Sequence, residues 1–294
     1  MKNGMIYVIL TVICFTFFEP ISKILTDGGM NPYAITAIRF FVGSLFLLPF
    51  SIKEIRKNKI KLNLTDYLLL VGLGVFVICL SMVLVQYAVK VADSPTLIAV
   101  IFASNSIITI ILSAIFLKAG LNQKKIIGII LCVIGVLVSS DLTGKSNLTS
   151  VVLALLSALS FSAYTILCKK YMTKVSGIVQ LGISFFSGSL ILITGLLIFK
   201  VNIFEGISLE TLPSLFMVSV VVTGVGYWVY FEAIRTVGPQ MAAIAFLIKP
   251  IFAPFATLLI NNIMPKPSIV ISLVLVVIGA MLCSDLVFKK GNAS

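Results

Sequence analysis

The chain has 294 residues, of which 60% are hydrophobic and 11% charged, and its mean hydropathy is +1.18. Soluble domains average roughly 45–50% apolar and roughly 25% charged residues, so this composition excludes a soluble fold and indicates a protein embedded in lipid. In such a protein the net charge of +12 points to cationic cytoplasmic loops and not to a nucleic-acid partner.

Ten apolar segments follow one another along the chain, each close to the roughly 20 residues that a membrane-spanning helix needs. The predicted spans are 5–25, 33–51, 66–88, 95–117, 125–141, 149–168, 177–199, 212–233, 240–261 and 268–287. Turn residues such as Asn31-Pro32, Gly238-Pro239 and Pro265-Lys266-Pro267 separate several of them. Ten spans leave no room for a soluble domain, so we expect an all-α integral membrane fold.

The distribution of lysine and arginine predicts the orientation of these spans. If the N-terminus is cytoplasmic, most of the 22 lysines and arginines lie in the cytoplasmic loops and termini, as the positive-inside rule requires. We therefore expect a multi-pass protein of the plasma or inner membrane with both termini in the cytoplasm. The first span has no cleavage site of the kind that follows a signal peptide.

Short motifs recur in corresponding spans of the two halves, which indicates an internal repeat. Phe40–Leu45 in the second span matches Phe185–Leu190 in the seventh at five of six positions. Gly135–Leu142 in the fifth span matches Gly279–Leu286 in the tenth at four of eight positions. Two matches at nearly the same offset, 145 and 144 residues, are not expected from apolar composition alone.

The repeat predicts two five-helix units, residues 1–145 and residues 146–294. A unit with an odd number of spans starts on opposite sides of the membrane in its two copies, so we expect an inverted-topology repeat. Transporters built in this way place the substrate near the bilayer midplane, between the two repeats.

The chain resembles the EamA-type exporters of the drug/metabolite transporter superfamily. The resemblance rests on Arg39-Phe40 in the second span, on the turns Ala88-Val89-Lys90 and Ala233-Ile234-Arg235, and on the Gly-x-x-x-x-Ser ends of the fifth and tenth spans. It implies ten helices, cytoplasmic termini, a central cavity lined by spans 1, 3, 4, 6, 8 and 9, and export of amino acids or similar metabolites.

Two departures from that family pattern affect the expected site. Where relatives carry a Gly-Glu pair near the ends of spans 4 and 9, this chain has Lys118-Ala119 and Asn261-Asn262. The tryptophan often found in the first span is replaced by Phe15.

Lys249 is the candidate binding residue that lies deepest in the membrane. It sits near the middle of the ninth span and is followed by Pro250, and an ionisable group at that depth costs about 2.5–3.5 kcal/mol on insertion scales. One interpretation is a clamp for a substrate carboxylate in the cavity. The other is a structural ion pair with Glu19 or Glu232.

The first span carries Glu19 and Lys23, four residues apart in the favourable order for a helical ion pair. Glu19 is a candidate for binding a substrate ammonium or a coupled proton, and the alternative is a local pair with Lys23. Glu232 is a weaker candidate for proton coupling and is expected to pair with Arg235. Arg39 is interpreted as a packing residue or as part of an ion pair.

Polar and aromatic residues in the cavity-lining spans complete the predicted substrate site. They are Asn105 in the fourth span, Tyr164 in the sixth, and Tyr227 and Trp228 in the eighth. Rings with one polar tip suit a mostly apolar pocket. Ordinary packing is the alternative for each, and a membrane-interface position is a further alternative for Trp228.

These features predict a secondary transporter that exports a small metabolite, such as an amino acid or a related amphiphile, by alternating access. A lipid or glycolipid flippase and an exchanger or importer of the same fold remain alternatives. The sequence contains no histidine and no recognisable catalytic motif, so we expect no enzyme activity, no cofactor and no metal. The expected partners are the substrate and the lipid bilayer, with the protein a monomer or homodimer.

Overall fold

A computed structural model describes residues 2–118, 120, 122–139, 145–172, 174–264 and 267–283, and these residues form ten helical segments joined by short turns. In chain order they are α1 (Lys2–Thr16 and Phe18–Asp27), α2 (Pro32–Lys57), α3 (Leu64–Val91), α4 (Pro95–Phe102 and Ser104–Phe116), α5 (Gln123–Ser139), α6 (Lys145–Tyr171), α7 (Gly177–Ile198), α8 and α9 (together Leu212–Asn261) and α10 (Pro267–Cys283). The predicted all-α class is confirmed. The predicted ends of the fifth and tenth spans, at 141 and 287, and the turn at 265–266 lie outside the described residues.

Seven continuous helices in the described part of the chain are long and apolar enough to cross a membrane, by length and composition. One of them, Leu212–Asn261, has 50 residues and would be about 75 Å long if it were straight, more than twice the roughly 30 Å hydrocarbon core. It bends at Gly238, where φ is 83° and ψ is 163°. We therefore treat 212–237 as α8 and 239–261 as α9.

Prolines and asparagines define several helix ends. Pro32 occupies the first turn of α2, and the side chain of Asn31 accepts a hydrogen bond from the backbone N–H of Tyr33 at 2.9 Å. α9 ends at Asn262 in the left-handed conformation, with φ 55°. Asparagine tolerates this conformation better than most residues, so the turn before α10 follows from the local sequence.

The repeated motif of the two halves forms a contact between them. α2 packs against α7, and the rings of Phe40 and Phe185 meet edge-to-face with centroids 4.7 Å apart. Phe41 and Phe186 stack beside them at 5.8 Å. Each copy of the motif therefore contacts the other copy, and α5 packs on α10 in the same way.

The glycine of the same motif allows two further close approaches. A Cβ at Gly43 in α2 would lie 2.7 Å from the carbonyl oxygen of Ser219 in α8, and a Cβ at Gly188 in α7 would lie 2.5 Å from the backbone of Gly74 in α3. The two contacts correspond to each other in the repeat. Small residues that let helix backbones touch are the usual means of packing helices in lipid.

π-helical segments interrupt α3 at Phe76–Met82 and α8 at Met217–Gly226. The two segments occupy equivalent places in the two halves of the chain. Such irregularities often occur at functional sites, and here each contributes one residue, Met82 and Val222, to the central cavity.

Candidate functional site

A narrow cavity lies at the centre of the bundle, between α1, α2, α3, α4, α8 and α9. Its lining residues are Phe15, Phe18, Arg39, Met82, Val85, Phe102, Val222, Tyr227, Phe246 and Lys249. The volume is about 20 Å³, which is room for about one water molecule. The protein is therefore closed around this site. The family resemblance implied a lining from α6, but α2 supplies Arg39 instead.

The cavity is bordered by a buried ion pair between the two halves of the chain. The Nζ of Lys249 in α9 donates a hydrogen bond to Oε1 of Glu19 in α1, and the exposed fractions of the two residues are 2% and 0%. The other carboxylate oxygen, Oε2, has no hydrogen-bond partner among the described residues. Of the partners considered for Lys249, the structure selects Glu19.

The remaining ionisable candidates lie away from the cavity. Lys23 pairs with Asp27 at 3.2 Å and not with Glu19. Glu232 accepts hydrogen bonds from Arg235, one turn later in α8, at 2.6 and 2.9 Å. Both pairs join residues of a single helix, so neither links the two halves of the chain.

Arg39, which was expected to be a packing residue or part of an ion pair, lines the cavity. Its exposed fraction is 1%, and its guanidinium carbon lies 4.5 Å from the ring centroids of both Phe18 and Phe40. Among the described residues, Nε and Nη2 of this side chain have no hydrogen-bond partner. One feature of the sequence is consistent with an arginine that has no local ion-pair partner. No acidic residue lies within one helical turn of Arg39.

Of the two neighbouring aromatic candidates in α8, only Tyr227 lines the cavity. Its hydroxyl donates to the sulfur of Met82 at 3.0 Å, and its ring lies 5.0 Å from that of Phe15. Trp228 is 38% exposed and is not among the cavity-lining residues. Successive residues of a helix point about 100° apart, so the two side chains cannot share one face.

Asn105 and Tyr164 are buried outside the described lining of the cavity. The backbone carbonyl of Asn105 accepts a hydrogen bond from Ser162 at 2.7 Å, and its side-chain oxygen accepts one from Ser106 at 3.3 Å. The bond from Ser162 ties α4 to α6, and the bond from Ser106 lies within α4. Tyr164 packs its ring against Phe231 at 5.9 Å.

A larger cavity of about 150 Å³ lies at the ends of α6, α7 and α8. Its walls include Cys168, Lys169, Gln180, Phe231 and Arg235. The cations and the buried glutamine add polar groups to a mostly apolar lining, and Cys168 lies one turn from Tyr164 in α6.

A second polar contact between α1 and α9 was not expected from the sequence. The side-chain amide of Asn261 at the end of α9 donates a hydrogen bond to the backbone carbonyl of Pro20 at 3.1 Å. The two residues are far apart in the chain, and only the folded arrangement brings the end of α9 beside this carbonyl. Together with the Glu19–Lys249 pair, this bond fastens α1 to α9.

Apolar helices arranged around a closed, charged cavity are the architecture of a polytopic membrane transporter. The EamA-like transporter family matches residues 2–141 and again residues 148–284. The chain belongs to this family, within the drug/metabolite transporter superfamily, and is therefore a membrane transporter of small solutes. The family is one of transporters and not of enzymes.

Individual relatives agree with this assignment. An uncharacterized transporter of Clostridium kluyveri is 32% identical over 290 residues, which cover 96% of this chain and 93% of that protein. An uncharacterized transporter of Archaeoglobus fulgidus is 28% identical over 149 residues, 51% of each chain. A WAT1-related protein of Arabidopsis thaliana is 30% identical over 146 residues, 47% of this chain and 40% of that one.

A solved crystal structure shows the same fold. It covers 99% of this chain and 100% of its own, with a TM-score of 0.70 at 12% identity. At that identity the likeness concerns the fold alone.

Proposed function

We propose that the protein is a secondary transporter that exports a small amphiphilic metabolite, an amino acid or a related amphiphile, by alternating access. The observation that carries this proposal is the closed central cavity, which combines charged and aromatic side chains. A volume of about 20 Å³ is too small for such a solute, because it holds only about one water molecule. Transport therefore requires a second conformation in which the site is open.

In this proposal residues 1–145 and 146–294 are the two units that move against each other, in inverted orientation in the cell membrane, with both termini cytoplasmic. The packing of α2 on α7 and of α5 on α10 supports a two-unit arrangement, since each of these contacts pairs a helix with its own repeat counterpart. The cationic loops support the orientation.

The Glu19–Lys249 pair holds the closed conformation together, because it links α1 of the first unit to α9 of the second. Breaking a buried ion pair without replacement costs about 3–5 kcal/mol. A substrate that supplies a carboxylate to Lys249, and an ammonium or a proton to Glu19, offsets that cost and shifts the population towards the open state. Tyr227 then contacts the apolar part of the substrate.

Counterflow into proteoliposomes tests this function. The wild-type protein, loaded with unlabelled amino acids and related carboxylates in turn, is expected to accumulate the matching labelled compound, and Lys249→Ala is expected to abolish accumulation. Lys174→Ala is the matched control, because Lys174 also pairs with an acidic residue, Asp66 at 3.3 Å, but is 62% exposed. Unchanged counterflow in a correctly folded Lys249→Ala protein contradicts the assigned role.

A lipid flippase is the second candidate, favoured by a lateral groove of about 250 Å³ between α1 and α9. Its lining residues are Val12, Ile13, Thr16, Phe17, Phe252, Phe255, Ala256 and Leu259. An almost wholly apolar groove of this kind suits an acyl chain. Dithionite quenching of fluorescent phospholipids in proteoliposomes distinguishes the two functions, since only a flippase exposes the inner-leaflet lipid to the quencher.

A further inference from the structure

The central cavity carries an uncompensated positive charge in the described part of the protein. Two cationic side chains line it, Lys249 and Arg39, and the one acidic residue in contact with them, Glu19, is already bound to Lys249. Burial of an unpaired charge is strongly unfavourable, and more so at membrane depth. A buried arginine of this kind requires an anion.

No other acidic side chain among the described residues is placed to supply that anion. Asp27 pairs with Lys23, Asp66 with Lys174, and Glu232 with Arg235. Glu54 lies in the last turn of α2, and Asp93, Glu205 and Glu210 are exposed outside the helices. The acidic residue that interacts electrostatically with Arg39 is Glu19, whose charge is balanced by Lys249. The missing negative charge is therefore expected to come from outside the protein.

The geometry of Arg39 specifies the shape of the anion. Phe18 and Phe40 contact the guanidinium at 4.5 Å each and hold it by cation–π interactions. The atoms that lack a partner among the described residues, Nε and Nη2, lie on one edge of the guanidinium plane. That edge presents two parallel N–H donors, which match the two oxygens of a carboxylate.

We propose that Arg39 joins Lys249 in binding the carboxylate of the transported substrate, and that this substrate is a monoanion with an apolar body. The inference rests on the proposed transport function and narrows its substrate class. A monoanion neutralises the cavity, whereas a zwitterion leaves one positive charge and a cation adds to it. Once the site opens, the apolar body contacts the lining rings of Phe15, Phe102 and Phe246.

Three compounds with the same phenylalkyl body test the charge requirement: 3-phenylpropionate, phenylalanine and phenethylamine, with net charges of about −1, 0 and +1 at neutral pH. Each is added to the purified protein in detergent at fixed ionic strength, and thermal unfolding is followed. A ligand that binds the folded state raises the melting temperature. We expect a concentration-dependent rise with 3-phenylpropionate, a smaller one with phenylalanine and none with phenethylamine.

Substitutions of Arg39 test whether the rise in melting temperature depends on its guanidinium group. Arg39→Gln is expected to remove the stabilisation by 3-phenylpropionate. Arg39→Lys keeps the charge but loses the two-donor edge, so we expect at least a tenfold higher concentration for the same shift, and this variant remains informative if Arg39→Gln does not fold. Lys174→Gln, which removes an exposed positive charge outside the cavity, is expected to respond like the wild type.

Three results overturn the inference: no shift with the anion, an equal or larger shift with phenylalanine or phenethylamine, or an unchanged shift in Arg39→Gln and Arg39→Lys. These results are distinct from failure of the proposed function. Counterflow of zwitterions that survives Arg39→Gln leaves the transporter assignment intact and removes the anion site. Stabilisation by the anion without counterflow of any compound leaves the site intact and removes the transport role.

Discussion

The two halves of the chain have the same helices but different chemistry. With the repeated Phe-Phe-x-Gly-Ser-Leu motif aligned, Glu19 in α1 corresponds to Tyr164 in α6, and Arg39 in α2 corresponds to Ser184 in α7. All four side chains are buried. The first half therefore places a carboxylate and a guanidinium where the second half has two neutral hydroxyl groups.

The lysine of the ion pair occurs only in the second half of the chain. Lys249 in α9 corresponds to Ser104 in α4, and only Lys249 lines the central cavity in the described structure. The motifs that pack helices recur in both halves, whereas the charges occur once. The repeat thus explains the scaffold, and the differences between the copies coincide with the proposed substrate site.

The largest expected effect comes from the charged positions. Glu19→Ala leaves Lys249 buried without its carboxylate, so we expect a loss of about 3–5 kcal/mol in unfolding free energy, measured by denaturant unfolding in detergent. Tyr164→Phe, at the corresponding place in the second half, removes a hydroxyl without leaving a charge and is expected to cost less than about 1 kcal/mol. Equal losses of unfolding free energy in the two variants would show that the buried charge of the first half is no more important for stability than the hydroxyl of the second half.

A double substitution provides the control for that prediction. Glu19→Leu combined with Lys249→Met removes both charges, and we expect it to recover most of the lost stability, since apolar residues can replace a buried pair. Transport is expected to remain absent in the double variant. Recovered transport would contradict the role of the pair.

The glycines of the repeated motif are expected to give the next largest effect, and an equal one in both halves. Gly43→Ala and Gly188→Ala each place a Cβ within 2.7 Å of backbone atoms of a neighbouring helix, and overpacking costs about 1–3 kcal/mol. Gly195→Ala is the control in α7, because no described atom outside its own helix turn lies within 4 Å of that Cβ. A large difference between Gly43→Ala and Gly188→Ala would show that the scaffold is not symmetric.

A smaller effect is expected at the contact between α3 and α6. Ser157 donates to the carbonyl of Ser81 at 2.7 Å, and Ser81 donates to the carbonyl of Ser157 at 3.0 Å. Interhelical hydrogen bonds in membranes average about 0.6 kcal/mol. We therefore expect Ser81→Ala and Ser157→Ala each to lower unfolding free energy by about that amount, with transport retained.

The smallest effect is expected at the end of α1. Lys23 pairs with Asp27, whose side chain is 61% exposed, and exposed pairs contribute about 0–1 kcal/mol. Lys23→Gln is expected to leave both the melting temperature and counterflow within error of the wild type. A strong loss of counterflow would instead show that Lys23 takes part in coupling.

The positions of the helices followed from the sequence because their ends carry local signals. Pro32, Gly238 and Pro239 act through their own backbone restrictions, and the bends appear where these residues stand. The exact irregularities did not follow, since the π-helical segments of α3 and α8 contain ordinary apolar residues. Their cause lies in the packing of neighbouring helices.

The site was predictable only in part, for two physical reasons. A helix that is apolar on all sides carries no periodicity that distinguishes its faces, so Tyr227 and Trp228 could not be separated. Partners far apart along the chain also leave no spacing signal. Glu19 and Lys249 stood out as ionisable residues in apolar spans, but the local alternative, Lys23, could be dismissed only in the folded structure.

The bend at Gly238 has a mechanical consequence. α8 and α9 join without a loop. A change in the angle between them is therefore concentrated at one residue. No described atom lies within 4 Å of a Cβ built at Gly238. No described neighbouring helix therefore packs against this position of the bend. Tyr227 and Lys249 lie on opposite sides of this joint, so rotation at Gly238 changes the separation between the aromatic and the charged wall of the cavity.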